Sequence, residues 1–230
     1  MSNAILIIGE SGTGKSTSIR NLNPKETYII NVLDKPLPFR GYKTKYIQKQ
    51  GGNYGVTDNP DKIVTILDGI SKTRLDIKNI VIDDFQYIMS NEYMRRAKEI
   101  GFQKFTDIGL GAFKIVEKAN QVREDINVFV LAHSEINKNG ISKLKTIGEM
   151  TDKTIVMEGR FTVVLHTLVE DSQYKFMTQH NGIYLSKSPM GMFESLTIDN
   201  DLEFVSRKIH EYYHDQEITE FEDKNEKEAA

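Results

Sequence analysis

An α/β fold with a mostly parallel central sheet flanked by helices is predicted by three observations. Short apolar runs alternate with helical stretches from Ala4 to Glu135, the first run enters a glycine-rich turn, and two later runs end in polar side chains, Asp83-Asp84 and His133. Ala4 to Ile8 reads as a buried strand. It leads into Gly9-Glu10-Ser11-Gly12-Thr13-Gly14-Lys15-Ser16, which fits the pattern G-x-x-x-x-G-K-[ST]. Thr17 to Leu22 then reads as a helix, stopped by Asn23-Pro24.

Thr27 to Leu33 is the second strand, ended by Asp34 and the Pro36-Leu37-Pro38 punctuation. Gly41 to Tyr46 is expected to pair at a sheet edge, and Gly51-Gly52-Asn53 to turn. Asn59-Pro60-Asp61 starts a helix with Ile63, Ile66, Leu67 and Ile70 at helical spacing. Asn79 to Ile82 is a buried strand carrying Asp83 and Asp84 at its end. Helical stretches at Glu92 to Ile100 and Ala112 to Arg123 separate it from the strand Asn127 to His133. Phe161 to Val169 is a long strand. Tyr174 to Thr178 is expected to form a C-terminal hairpin with Ile183 to Leu185 through Asn181-Gly182, a strong hairpin dipeptide. Leu202 to Tyr213 closes the domain as a helix with Phe204, Val205 and Ile209 inward.

The 230 residues suit one domain, placed at residues 1–214. The chain has no cysteine, which excludes disulfides and thiolate metal sites and fits a reducing cytoplasm. The apolar start is too short for a signal or membrane helix, so no membrane partner is expected and the localisation is read as cytoplasmic. Net charge is −3, but residues 215–230 hold seven acids and two lysines, leaving +2 for the rest. That tail reads as disordered, either simply solvated or a partner-binding, DNA-mimicking arm.

The glycine-rich turn is a nucleoside-triphosphate signature. Successive backbone N–H groups of Gly9, Glu10, Ser11, Gly12, Thr13 and Gly14 converge on phosphate, Lys15 adds a cation and Ser16 a hydroxyl for Mg²⁺, with Thr17 beside them. Asp83, at the end of Ile80-Val81-Ile82, matches the carboxylate that holds Mg²⁺ opposite that hydroxyl. ATP and Mg²⁺ are therefore the expected cofactors. Asp84 is the favoured general base, with Asp34 as its rival and Glu92 as a further candidate. His133 sits where it can sense the γ-phosphate, or it is a strand-end histidine satisfied by backbone; His166 and His180 read as structural. The loop Asn137 to Thr146 carries Lys138, Lys143 and Lys145 and no acid. It is a candidate single-stranded DNA contact, set against the reading of a solvated loop, since no aromatic residue interleaves the lysines.

With GESGTGKST, IVIDDF, VLAHSE, GRFTVVLHT and YLSKSPMGMF in this order, most of residues 4–213 resembles the phage-type AAA ATPases with a RecA-like core, the group containing the Sak-type single-strand annealing proteins. The resemblance implies a homo-oligomeric, Mg-ATP-dependent protein that binds single-stranded DNA and assists annealing or recombination beside a single-strand-binding protein, in the host cytoplasm. It also implies that Lys187 presents a cation to a neighbour's nucleotide. Where RecA-like enzymes typically carry a catalytic glutamate after the second core strand, this chain has Asp34. Two other functions stay open: an ATP-clamped loader with little turnover, and a small-molecule kinase, against which stands the chain's lack of an evident arginine-rich lid to enclose a phosphoryl acceptor.

Overall fold

Apolar residues that alternate along a strand between two helical layers must bury both faces, and the central strands do so. The computed structural model describes residues 3–147 and 155–213. In chain order the elements are β1 (Asn3–Gly9), a 3-10 helix (Ser16–Asn21), β2 (Thr27–Asn31), α1 (Tyr42–Lys45), β3 (Tyr54–Val56), α2 (Pro60–Thr73), β4 (Asn79–Asp83), α3 (Gln86–Arg95), α4 (Gln103–Ala119), β5 (Asn127–Ile136), β6 (Ser142–Leu144), a 3-10 turn (Met157–Arg160), β7 (Val163–Glu170), β8 (Gln173–Met177), β9 (Thr197–Asp199) and α5 (202–213). On β1, Ala4, Leu6 and Ile8 face a core shared with α2, α3 and α4. Ile5 and Ile7 face the opposite core, with Ile19, Leu22 and the α5 residues Leu202, Val205 and Ile209. Phe204, expected inward, is only half-buried beneath Arg207; the i, i+3, i+7 spacing is carried by Leu202 instead.

Among the described residues one nine-stranded sheet runs β3-β2-β4-β5-β1-β7-β8-β9, with β6 paired to β5. β3, β2, β4, β5, β1 and β7 are parallel; β8 and β9 continue the sheet antiparallel. The mostly parallel α/β expectation holds. β5 stands between β1 and β4, with Gly9 in register with His133, so the glycine turn, Asp83-Asp84 and His133 all emerge at one sheet edge.

Several local expectations are corrected. The hairpin is β7–β8, closed by Asp171-Ser172 with φ of 50° and 61°, the two positive dihedrals that a two-residue turn matched to strand twist requires. Asn181-Gly182 makes no hairpin. Asn181 Oδ1 accepts from the N–H groups of Ile183 (3.0 Å) and Tyr184 (2.9 Å), and this side-chain-closed turn sends the chain beside Ser142 and then antiparallel to Val164 at Lys187. Gly41 to Tyr46 is not an edge strand but holds the short helix α1; the edge is β3. The helix after the glycine turn is one six-residue 3-10 segment, cut short before Pro24. The acidic tail lies outside the described residues. No helix among those described is long and apolar enough to cross a membrane.

Candidate nucleotide site

The glycine turn needs its glycines for three separate reasons. Gly12 and Gly14 hold φ of 82° and 99°, where a side chain is strained. A Cβ on Gly14 would also lie 2.8 Å from the Tyr174 ring, and one on Gly9 would sit 1.9 Å from Thr167 Oγ1. The loop is further tied to β7, since Thr13 Oγ1 donates to Glu10 O (2.7 Å) and lies 2.5 Å from Thr167 Oγ1. A compact backbone nest results, of the kind that binds anions.

Lys15 lies buried under this loop, its Nζ donating to Gly9 O (2.9 Å) and Glu10 O (2.7 Å). Burial lowers its pKa to about 8, although the carboxylates of Asp84 and Asp83 pull the other way. A phosphate would therefore find a cation that is poorly solvated and gains much from a new anionic partner. Ser16 Oγ donates to Asp83 Oδ1 at 2.9 Å. That spacing fits two adjacent ligands of one octahedral Mg²⁺, which at about 2.1 Å from each oxygen stand about 3 Å apart. Among the described residues no cluster of three His, Cys, Asp or Glu side chains is arranged for a metal. An ion at Ser16 and Asp83 would thus complete its shell with phosphate and water, the usual habit of Mg²⁺. Burial and the neighbouring Asp84 charge push the Asp83 carboxyl up to about 6, against the Ser16 hydrogen bond.

Asp84 faces elsewhere. Its φ of 66° turns the chain sharply after β4, so its carboxylate meets Lys35 Nζ (2.7 Å) and His133 Nε2 (3.7 Å) instead of Ser16. Asp tolerates this left-handed conformation better than most residues, yet such strain concentrates at functional sites. Burial alone would favour the neutral acid; the imidazole of His133 and the ammonium of Lys35 outweigh it and hold the carboxyl below the usual range. Tyr87 completes the cluster, its ring edge-on to His133 (5.9 Å) and under Lys35 Nζ (5.6 Å). His133 N donates to Gln86 Oε1 (3.0 Å), which holds β5 at the point where it leaves the parallel sheet; the strand, expected to end at His133, continues to Ile136.

A cleft of about 260 Å³ brings together Ser11, Gly12, Gly14, Lys15, Ser16, Thr17, Lys35, Asp84, His133 and Tyr174. Lys35 and Tyr174 were not anticipated. Lys35 follows Asp34 in a loop whose direction sequence does not give, and Tyr174 arrives on an antiparallel strand without a motif. Asp34 is exposed, with φ of 54°, and does not line the cleft; the residue this loop contributes there is the cation beside it. Glu92 is on α3, away from the cleft lining, and its carboxylate pairs with Arg95. Lys187 also lies outside. Its backbone bonds Val164 in both directions, and burial lowers its pKa against the pull of Glu158.

Asn137 to Thr146 forms an arm on the same edge. β5 runs past the sheet and pairs with β6 through Glu135↔Lys143, with Gly140 (φ 78°) in the turn. Lys138 and Lys145 are exposed, whereas Lys143 sits 3.8 Å from Glu135, an acid just outside the basic segment. The arm is latched to the body by Ser142 Oγ on His166 Nε2 (2.8 Å) and by Leu144 N on the buried Glu158 carboxylate (2.9 Å). His166, read as structural, makes its contacts within the fold: Nδ1 donates to Thr167 O (3.0 Å), the Tyr184 ring lies tilted against it at 4.4 Å, and burial lowers its pKa to about 4. No protein-family model matches the chain, and no curated protein matches it either.

Proposed function

We infer that the protein binds Mg-ATP at the cleft above β1 and hydrolyses it while acting on single-stranded DNA, in the manner of the RecA-like phage ATPases it resembles. The single observation that carries the nucleotide part is the Ser16–Asp83 pair at 2.9 Å beside the buried Lys15, because two hard oxygens and a desolvated cation converge next to a backbone anion nest. In this reading Lys15 and the loop N–H groups hold the β- and γ-phosphates, and Ser16 and Asp83 supply the protein ligands of Mg²⁺, which neutralises charge on the phosphates. Asp84 orients or deprotonates the attacking water. Lys35 and His133 fix its carboxylate and offer hydrogen bonds to the γ-phosphate side of the cleft.

The DNA part rests on the resemblance and on the exposed Lys138 and Lys145, which stand on an arm springing from the strand that bears His133. A homo-oligomer, a cation from Lys187 acting on a neighbour's nucleotide, and a single-strand-binding partner rest on the resemblance alone. One observation favours slow turnover and a clamp-like loader: the ion pair of Asp84 with Lys35 lowers the basicity of the candidate base. Measuring ATP hydrolysis with and without single-stranded DNA separates the two. Turnover raised by DNA supports the DNA-dependent ATPase; slow turnover indifferent to DNA supports the clamp.

A further inference from the structure

Asn200 is buried, 1% exposed, and neither its Oδ1 nor its Nδ2 has a hydrogen-bond partner. A buried carboxamide with both ends unpaired costs stability, and among the described residues with such atoms Asn200 is the one that leaves two of them, a donor and an acceptor, unused together, the pair that a ligand edge could satisfy. Its backbone is held firmly: Asn200 N donates to Tyr174 O (3.3 Å), and Asn200 O accepts from Arg20 Nη1 (2.6 Å). Its side chain stands against the phosphate loop. The position a Cβ would take on Gly14 is 3.2 Å from Asn200 Nδ2 and 2.8 Å from the Tyr174 ring. That ring is 44% exposed and lines the cleft with Gly12, Gly14 and Thr17. An aromatic face and an unused donor–acceptor pair therefore adjoin over Gly14, on the β8–β9 side of β1 and away from β4, with the carboxamide outside the cleft lining and closed to solvent until the Tyr174 ring moves.

We propose that Tyr174 and Asn200 form the nucleobase subsite of the cleft, with adenine stacked on Tyr174 and its N6–H₂ and N7 edge paired with Asn200 Oδ1 and Nδ2. The proposal rests on the Mg-ATP reading and adds the identity of the base. A carboxamide matches that edge of adenine with one acceptor and one donor, whereas guanine presents two acceptors there and leaves Oδ1 facing O6. Stacking needs only a π-face, which the half-exposed tyrosine provides once its ring turns outward from Gly14.

The test is equilibrium binding of ATP, 7-deaza-ATP, GTP and inorganic tripolyphosphate, each with Mg²⁺, to the wild type, Asn200→Ala, the near-isosteric Asn200→Leu, Tyr174→Phe and Tyr174→Ala. The wild type should bind ATP about 10-fold or more tightly than 7-deaza-ATP or GTP. Both Asn200 variants should bind ATP and 7-deaza-ATP alike, at the weaker level, while keeping wild-type affinity for tripolyphosphate. Tyr174→Phe should retain ATP affinity, and Tyr174→Ala should lose about 5-fold or more. Asn200 variants that keep full ATP affinity, or that lose ATP and tripolyphosphate equally, would overturn the subsite; so would a wild type that prefers GTP. A wild type that binds tripolyphosphate as tightly as ATP would remove the base subsite and leave the phosphate site standing. If the wild type binds neither, the Mg-ATP reading itself falls, and the subsite with it.

Discussion

The two flanks of the glycine-rich loop Gly9 to Ser16 are built from different chemistry. On the side of β4, β5 and the loop after β2, the groups are ionisable and engage one another: Asp83 with Ser16, Asp84 with Lys35 and His133. On the side of β7, β8 and β9 the loop meets the hydroxyl of Thr167, the ring of Tyr174 and the carboxamide of Asn200. Charge is collected where a triphosphate and its cation would develop charge, and neutral surface where a sugar and base would need shape. In the proposed reading one short loop borders two tasks, and the contrast indicates how each flank can be disturbed without the other.

The largest effects are expected on the charged flank. Asp83→Ala should abolish Mg²⁺-dependent turnover, whereas Asp84→Asn should keep Mg-ATP binding and hydrolyse at least about 10²-fold more slowly. Steady-state hydrolysis alongside nucleotide binding checks both. Near-normal turnover in Asp84→Asn, with loss in Asp34→Asn, would move the base to Asp34 despite its exposed position.

The same contrast explains what was legible in the sequence. The charged flank was largely readable, because the phosphate-loop motif and the strand-end Asp83-Asp84 and His133 come from parallel strands whose C-terminal ends must share an edge. Asp84 was favoured over Asp34 only for its place next to Asp83, because both sit at left-handed turns whose directions sequence does not state. Lys35 was missed for the same reason. The neutral flank was illegible: it depends on a hairpin closed by Asp171-Ser172, a weaker turn signal than the Asn181-Gly182 that drew attention away from it. Without that hairpin, neither Tyr174 nor Asn200 can be placed against Gly14.

A pH experiment sharpens the neutral side. His166 is buried with its pKa lowered to about 4 from 6.5, so between those values the unfolded chain takes up a proton that the native fold does not. Its contribution is complete above about pH 6.5 and is lost progressively down to about pH 4. Unfolding free energy should therefore fall by about 2 kcal/mol from pH 7.5 to pH 5 through this group, and His166→Gln should remove that part of the slope. Parallel pH profiles for wild type and variant would show that the flank tolerates charge after all.

The smallest expected effect lies on the arm that joins the flanks. Replacing Lys138, Lys143 and Lys145 together should flatten the slope of log DNA affinity against log salt by about 2, at about 0.7 per lost phosphate contact. Lys143→Ala alone should contribute least, since Glu135 already faces it. ATP binding should survive in the triple variant. Unchanged affinity and slope would make the lysines a solvated face and favour the loader.

The central claim is that the cleft above β1 holds Mg-ATP through Lys15, and equilibrium binding of ATP to wild-type and Lys15→Ala protein, with and without Mg²⁺, tests it most directly. The account predicts Mg²⁺-assisted binding by the wild type and at least about 10²-fold weaker binding by a Lys15→Ala variant that stays folded by circular dichroism, because Lys15 serves ligand charge more than core packing. Equal affinity in the two proteins, or a wild type that binds no triphosphate, would contradict it.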